Sequence, residues 1–315
     1  MIRGSSMKPK TNFMTKTWVI VVGAMICCTL WGSAFPCIKI GYRMMEIAAA
    51  DTVSQILYAG YRFTLAGVLT VVLGSILQRK ILLPKRSSLG KIGLLSLLQT
   101  VLQYLFFYIG LAHTTGVKAS IIEAVSTFVA ILVAGYLFHQ ETVTPRKMIG
   151  CLIGFAGVVL VNVAGSGMDF HFSPAGDGCI LLSTVAYAFS SVCMKRFSQK
   201  EDPVMLSGYQ FILGGIVMIA CGAAMGGHLK AFTVSAAALL IYMAMISAVA
   251  YSLWGMLLKY NPVSKVTVFG FMNPVIGVIL SALLLNETEA LGVSSVLALG
   301  LVCVGIYIVN AKGKD

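Results

Sequence analysis

LYAGYRFTLAGVL fills residues 57–69, and MLSGYQFILGGIV fills residues 205–217. Gly60, Tyr61, Phe63, Leu65 and Gly67 recur as Gly208, Tyr209, Phe211, Leu213 and Gly215, each 148 positions later. Three further matches follow in the same order. LFHQET (137–142) pairs with LLNETE (284–289), so that Glu141-Thr142 matches Glu287-Thr288 at an offset of 146. GVVLVN (157–162) pairs with GIYIVN (305–310) at 148, and WGSAFPCIK (31–39) pairs more weakly with YAFSSVCMK (187–195) at 156. A single match between apolar stretches is weak. Four in one order make an internal repeat, with loop lengths absorbing the changing offset.

Each copy holds five apolar runs. The ten runs are 17–38, 54–77, 91–112, 117–138, 147–164, 177–196, 204–225, 234–257, 263–285 and 291–310. Most are near 20 residues, the length a helix needs to cross a bilayer. The chain is 58% hydrophobic and 11% charged over 315 residues, too apolar for a soluble fold. Pro9, Pro84, Pro145, Pro174, Pro203 and Pro262 fall between runs, and only Pro36 and Pro274 lie inside them. The expected class is an all-α membrane protein of ten transmembrane helices.

Five is odd, so the second copy must enter the membrane from the opposite side. Charge agrees. Of 23 basic residues, only Lys39, Arg43, Lys118 and Lys230 fall on one side, Arg62 lies within a run, and the other eighteen share the opposite side. Basic loops face the cytoplasm, so both termini are expected there. The loop after the second run carries Arg79, Lys80, Lys85, Arg86 and Lys91, whereas its counterpart carries only Lys230. After the fourth run stands ETVTPRK, basic; after the ninth stands ETEALGVSS, acidic. Related sequences with opposite charge face opposite compartments, which makes this an inverted-topology repeat. The expected layout is a cytoplasmic tail (1–16), a first repeat (17–164), an outer connecting loop (165–176), a second repeat (177–310) and a C-terminal tail (311–315). The first run is too long for a cleaved signal peptide and reads as a retained helix. Met1–Ser6 is set aside, because Met7 opens a plausible MKPK start.

Inverted repeats supply two near-equivalent shapes that the halves exchange, with a binding site between them near the midplane. Here the chain resembles the drug/metabolite transporter superfamily, in its ten-helix EamA-type branch. The resemblance rests on LWGSAFPCIK (30–39), the YRF at 61–63, Asn273-Pro274, Glu141 and Glu287, and the GVVLVN and GIYIVN endings. It implies a multi-pass carrier of the inner membrane for a small metabolite, often an amino acid or related compound, usually acting in efflux. It also implies a cavity lined mainly by the first, third and fourth helices and by the sixth, eighth and ninth. Phe128 stands where the second copy has Pro274, so the halves need not bend alike.

Glu123 is the sharpest site candidate. It lies inside the fourth run, where a charge is costly and usually functional, and its repeat mate is Phe269. It could carry a coupling proton or accept a substrate ammonium; alternatively it pairs with Lys118. Arg62, matched by neutral Gln210, could bind a substrate carboxylate, or it could snorkel or pair with Glu123. The cavity candidates are Trp31, Gln103, Tyr104, Tyr108, Tyr187, Tyr251, Trp254 and Asn273, with Gln99 one turn before Gln103. Pro274 is the candidate hinge, since it removes a helical hydrogen bond. Gly150 and Gly154 form a small-residue contact, within the bundle or in a weak homodimer.

The basic charge is spread over loops, which argues against a nucleic-acid partner. The eight cysteines form no CxxC pair and the four histidines no metal spacing, so neither a metal nor a cofactor is expected. No GxxxxGK[ST] loop is present, and no catalytic residue is assigned. An intramembrane lipid-modifying enzyme would need clustered ionisable groups, and a passive channel would need polar rings. The expected partners are a small-molecule substrate and membrane lipids.

Overall fold

The structure, a computed structural model, describes residues 12–48, 50–163, 172–230, 233–285 and 293–311. The tail before residue 12, residues 164–171 of the connecting loop, Glu287, Thr288 and Glu289, and Lys312 and Lys314 lie outside the described residues.

Among the described residues, ten helices are long and apolar enough to span a bilayer. They are α1 (Thr17–Met44), α2 (Thr52–Leu77), α3 (Arg86–Leu111), α4 (Lys118–Leu137), α5 (Pro145–Val163), α6 (Pro174–Ser198), α7 (Pro203–Ala224), α8 (Val234–Tyr260), α9 (starting at Val263) and α10 (Val293–Asn310). Short polar side chains start several of them, accepting bonds from backbone N–H groups that have no partner within the helix. Asp51 accepts from Ser54 N at 3.0 Å, Asp202 from Val204 N at 2.9 Å, and Thr233 from Ala236 N at 3.2 Å. α2 and α7 end alike. Arg79 (φ 51°) and Gly226 (φ 87°) adopt the left-handed turn, and the next residue's N–H bonds the carbonyl five residues back, Lys80 to Ser75 and Gly227 to Gly222. α1 runs unbroken through Pro36.

The repeat is visible in the packing. α2 and α7 cross antiparallel with their backbones almost touching. A Cβ on Gly60 would lie 3.0 Å from the Gly215 carbonyl oxygen, and one on Gly67 would lie 2.5 Å from that of Gly208. Those four glycines are the two repeat-matched pairs, each member meeting the mate of the other. α5 and α10 do the same. Gly150 meets the Gly305 carbonyl and Gly157 the Ala298 carbonyl, and these again are positions related by 148. A two-fold axis in the membrane plane produces this reciprocity, and two copies running the same way could not. Gly154 packs on Phe271, so the small-residue motif of α5 is consumed within the bundle.

The bends differ from the sequence expectation. α9 makes one turn (Val263–Thr267), tightens to a 3-10 turn (Val268–Phe271) and resumes at Met272. Pro274 sits in the first turn after the break, where its missing N–H costs no helical bond. α4 also breaks, at Val125, between Gly116–Ala124 and Ser126–Leu132. Val125 matches Phe271 at the offset of 146, so the halves bend at equivalent places although only one has a proline. The two breaks meet. Thr127 Oγ donates to the Thr267 carbonyl at 3.1 Å, and Cys28 Sγ donates to the Phe269 carbonyl at 3.2 Å. Carbonyls at the break of α9 thereby accept from α4 and α1. π-helical turns further perturb α3 (Ser96–Leu102) and the end of α4 (Val133–Leu137). Such turns recur near functional sites.

Candidate substrate site

A cavity of about 150 Å³ lies between the halves. It is lined from α1 by Trp31, Ala34 and Ile38, from α3 by Gln103, Tyr104 and Phe107, and from α4 by residues between Ser120 and Ala130 that include Glu123. The second half contributes Ser183, Thr184 and Tyr187 of α6, Ser247, Tyr251 and Trp254 of α8, and Thr267, Gly270, Asn273 and Pro274 of α9. Arg62 of α2 joins them.

Helical spacing builds each wall. Ser120, Glu123 and Ser126 recur every third residue along α4; Ser247, Tyr251 and Trp254, spaced by four and then three, share a face of α8. The aromatic wall is a contact chain across the repeats. Trp31 meets Tyr251 and Trp254 edge-on at 5.1 and 5.0 Å, and the Tyr104 and Tyr251 hydroxyls are 3.0 Å apart. Arg62 is 4% exposed and lays its guanidinium over Phe63 at 4.3 Å, with Tyr104 at 5.6 Å. Glu123 is half-buried. Lys118 faces Asp177 at 3.8 Å rather than Glu123, and Asp177 also accepts from the Thr114 hydroxyl.

Five cavity residues keep a buried polar atom without a hydrogen-bond partner: Trp31 Nε1, Trp254 Nε1, Arg62 Nε, Gln103 Oε1 and Asn273 Oδ1. Buried polar atoms are almost always paired, so five unpaired ones among the residues of a single lining set this region of the described residues apart.

Of the residues singled out by sequence, Tyr108 and Gln99 do not line the cavity. Tyr108 is 2% exposed and packs beside Phe107 and Tyr104, while Gln99 is buried within the π-helical turn of α3. The wall hydroxyls of Ser120, Ser126, Ser183, Thr184, Ser247 and Thr267 were not foreseen. Their shared face with Glu123, Tyr187 and Trp254 is the signal that would have found them.

Polar contacts tie the halves together on the face that carries the basic loops. Glu141, after α4, accepts from Ser264 N (2.9 Å) and Ser264 Oγ (2.5 Å) at the start of α9, and from Lys147 (2.9 Å). Gln140 Nε2 donates to the Val192 carbonyl at 3.3 Å, and Lys91 meets Glu201 at 2.6 Å.

The EamA-like transporter family model matches residues 18–163 and again 174–311. The chain belongs to the EamA-like transporter family. The double match gives one family unit per five-helix half. An uncharacterized transporter of Archaeoglobus fulgidus is 28% identical over 303 residues, 94% of this chain and 99% of that one. The uncharacterized inner membrane transporter YedA of Escherichia coli K12 is 28% identical over 90% of each chain. The uncharacterized transporter YvbV of Bacillus subtilis 168 is 26% identical over 90% of this chain and 89% of its own. A solved crystal structure with 17% identity shares the fold at a TM-score of 0.76, covering 92% of this chain and 96% of that one. This EamA-family chain is thus a multi-pass membrane protein of a transporter family.

Proposed function

We propose that the chain is a secondary carrier that moves a small metabolite across the inner membrane by alternating access, in the direction of export. Both termini are cytoplasmic, and one chain is the transporting unit. One observation carries the reading. The cavity with its orphaned polar atoms lies where two antiparallel copies of one unit meet, with α1, α3 and α4 and their counterparts α6, α8 and α9 around it. Exchange of shapes between the copies turns that cavity from one compartment to the other. The Glu141–Ser264 clamp closes the cytoplasmic end in this conformation and is the bond set that yields when the carrier turns inward. Glu123 and Arg62 are the charged residues of the binding surface, and Pro274 adjoins the hinge of α9.

Purified chain in proteoliposomes preloaded with an unlabelled solute should drive uptake of the labelled solute against its gradient. Flux that neither saturates nor shows counterflow would mean a channel and end the carrier reading. Labelling of single cysteines at Ser87 and Lys230 in a cysteine-free background checks orientation, and reactivity from the same side would contradict the inverted topology.

A further inference from the structure

We propose that the loop joining α2 and α3 is a binding surface for an anionic phospholipid, with Arg79, Lys85 and Arg86 taking the headgroup and Ile81 and Leu83 meeting the acyl chains. The surface lies on the face that carries the basic loops, away from the cavity, and no step of transport enters it.

One buried side chain gives the loop its shape. α2 ends with Arg79 in the left-handed turn (φ 51°), and Lys80 N bonds back to the Ser75 carbonyl at 3.1 Å. Leu82 N then donates to Ser75 Oγ at 3.0 Å. Leu82 itself is 3% exposed, and a Cβ on Gly74 would lie 2.8 Å from it and 2.7 Å from Val204 of α7. Leu82 thus seats the loop against α2 and α7. The residues on either side of it, Ile81 and Leu83, turn outward and are 78% and 68% exposed. They stand where α2 leaves the bilayer and α3 enters it. At that level an apolar side chain flanked by cations sinks into the boundary between headgroups and acyl chains.

Arg79, Lys80, Lys85 and Arg86 surround these apolar side chains. Lys80 is paired with Asp202 at 3.5 Å and Lys91 with Glu201 at 2.6 Å, which ties the loop and α3 to the start of α7. Arg79, Lys85 and Arg86 are exposed and make no ion pair among the described residues. Lys85 meets Glu201 only through longer-range attraction. Lys85 and Arg86 also stand at the start of α3, whose first turn no side chain caps. Free N–H groups at a helix start suit phosphate oxygens.

The rest of this face differs. Arg146 donates to the Ile308 and Ala311 carbonyls, Lys195 to those of Leu258 and Asn261, and Lys147 to Glu141. Arg196 lies over Phe138. Loop charge that merely orients a chain explains cations on one face. It does not explain three unpaired ones set around an outward isoleucine and leucine. A phospholipid of net negative charge satisfies both halves of the surface. A zwitterionic one offsets its phosphate with its own ammonium, and a soluble phosphate leaves the apolar half uncovered.

The test is thermal stabilisation of the purified full chain in a non-ionic detergent. It is titrated with dioleoylphosphatidylglycerol, dioleoylphosphatidylcholine or sn-glycerol 3-phosphate. Phosphatidylglycerol should act at about 100-fold lower concentration than phosphatidylcholine, on the order of fivefold per cation. Glycerol 3-phosphate should not raise the melting temperature. Salt at about 0.5 M should erase most of the preference. Arg79→Gln with Lys85→Gln and Arg86→Gln should abolish it. Lys16→Gln with Lys259→Gln and Lys265→Gln, the same loss of charge elsewhere on the face, should keep it. Ile81→Ser with Leu83→Ser should weaken both lipids about tenfold or more. The unliganded melting temperature checks the folding of each variant, and the salt series on the wild type decides the matter if a variant fails to fold. The proposal is overturned if the two lipids stabilise alike or if glycerol 3-phosphate matches the anionic lipid. It is equally overturned if salt leaves the preference unchanged, or if the control variant loses it as the loop variant does.

Discussion

Replacing Gly67 by alanine should destabilise the chain, although alanine is the better helix former. A Cβ there would stand 2.5 Å from the Gly208 carbonyl oxygen and 2.6 Å from Ile212 N. Both are backbone atoms, so no side chain can swing aside. Reaching an ordinary 3.4 Å contact means parting α2 and α7 by about 0.9 Å, and a gap of about 0.5–1 Å forfeits a quarter to a half of each atomic contact it touches. Overpacking of this kind costs about 1–3 kcal/mol, while alanine returns about 1 kcal/mol of helix propensity. Gly93→Ala isolates the first quantity. Gly93 is also helical, and a Cβ there meets nothing within 4 Å. The propensity gain cancels between the two variants, leaving a difference of about 1–3 kcal/mol in favour of Gly93→Ala. Gly215→Ala, whose Cβ would reach Thr64 N at 2.5 Å, should behave like Gly67→Ala. The assay is denaturant unfolding in one detergent for all four proteins. Equal stability of Gly67→Ala and Gly93→Ala would show that the helices do not approach so closely, and the two-fold argument built on them would fail.

Glu141→Ala removes the acceptor of three hydrogen bonds from a side chain 5% exposed, and should cost about 3–5 kcal/mol; it should also raise labelling of the cavity from the basic face, and unchanged labelling would count against a clamp. Trp254→Ala and Tyr108→Ala should each cost about 3–5 kcal/mol in thermal or denaturant unfolding, but only Trp254→Ala, at the cavity wall, should also weaken ligand stabilisation; equal effects on ligand would misplace the wall. The Lys91 hydrogen bond, with lesser help from Ser88 and the charges of Lys91 and Lys85, holds Glu201 below the usual carboxylate range. The stability this gives is full above the unfolded pKa of about 4.3 and is lost as pH falls through the lower folded value. The melting temperature of the wild type should therefore drop more than that of Lys91→Met as pH is lowered from about 5 to about 3, and parallel curves would refute the coupling.

The spans, the repeat and its inversion were legible because the bilayer imposes length, loop charge and proline placement on the sequence directly. Gly60, Gly67, Gly208 and Gly215 were even visible as identities, though not as a crossing. The site was read less well. Arg62 resembled a structural or snorkelling residue because α2 belongs to the packing layer, and only the side chain's reach brings it into the cavity. Tyr108 lies one turn past Tyr104, yet only Tyr104 lines the cavity while Tyr108 packs in the core. The break at Val125 has no proline to announce it. The serines and threonines of the wall look in sequence like ordinary small residues at helix contacts.

The hydrogen bond from Thr127 to the Thr267 carbonyl joins the two bent helices at their elbows. The machine therefore has a single shared joint instead of two private ones. Replacing Thr127 removes the donor and is inherited by both halves, whereas the Thr267 acceptor is backbone and survives a change of side chain.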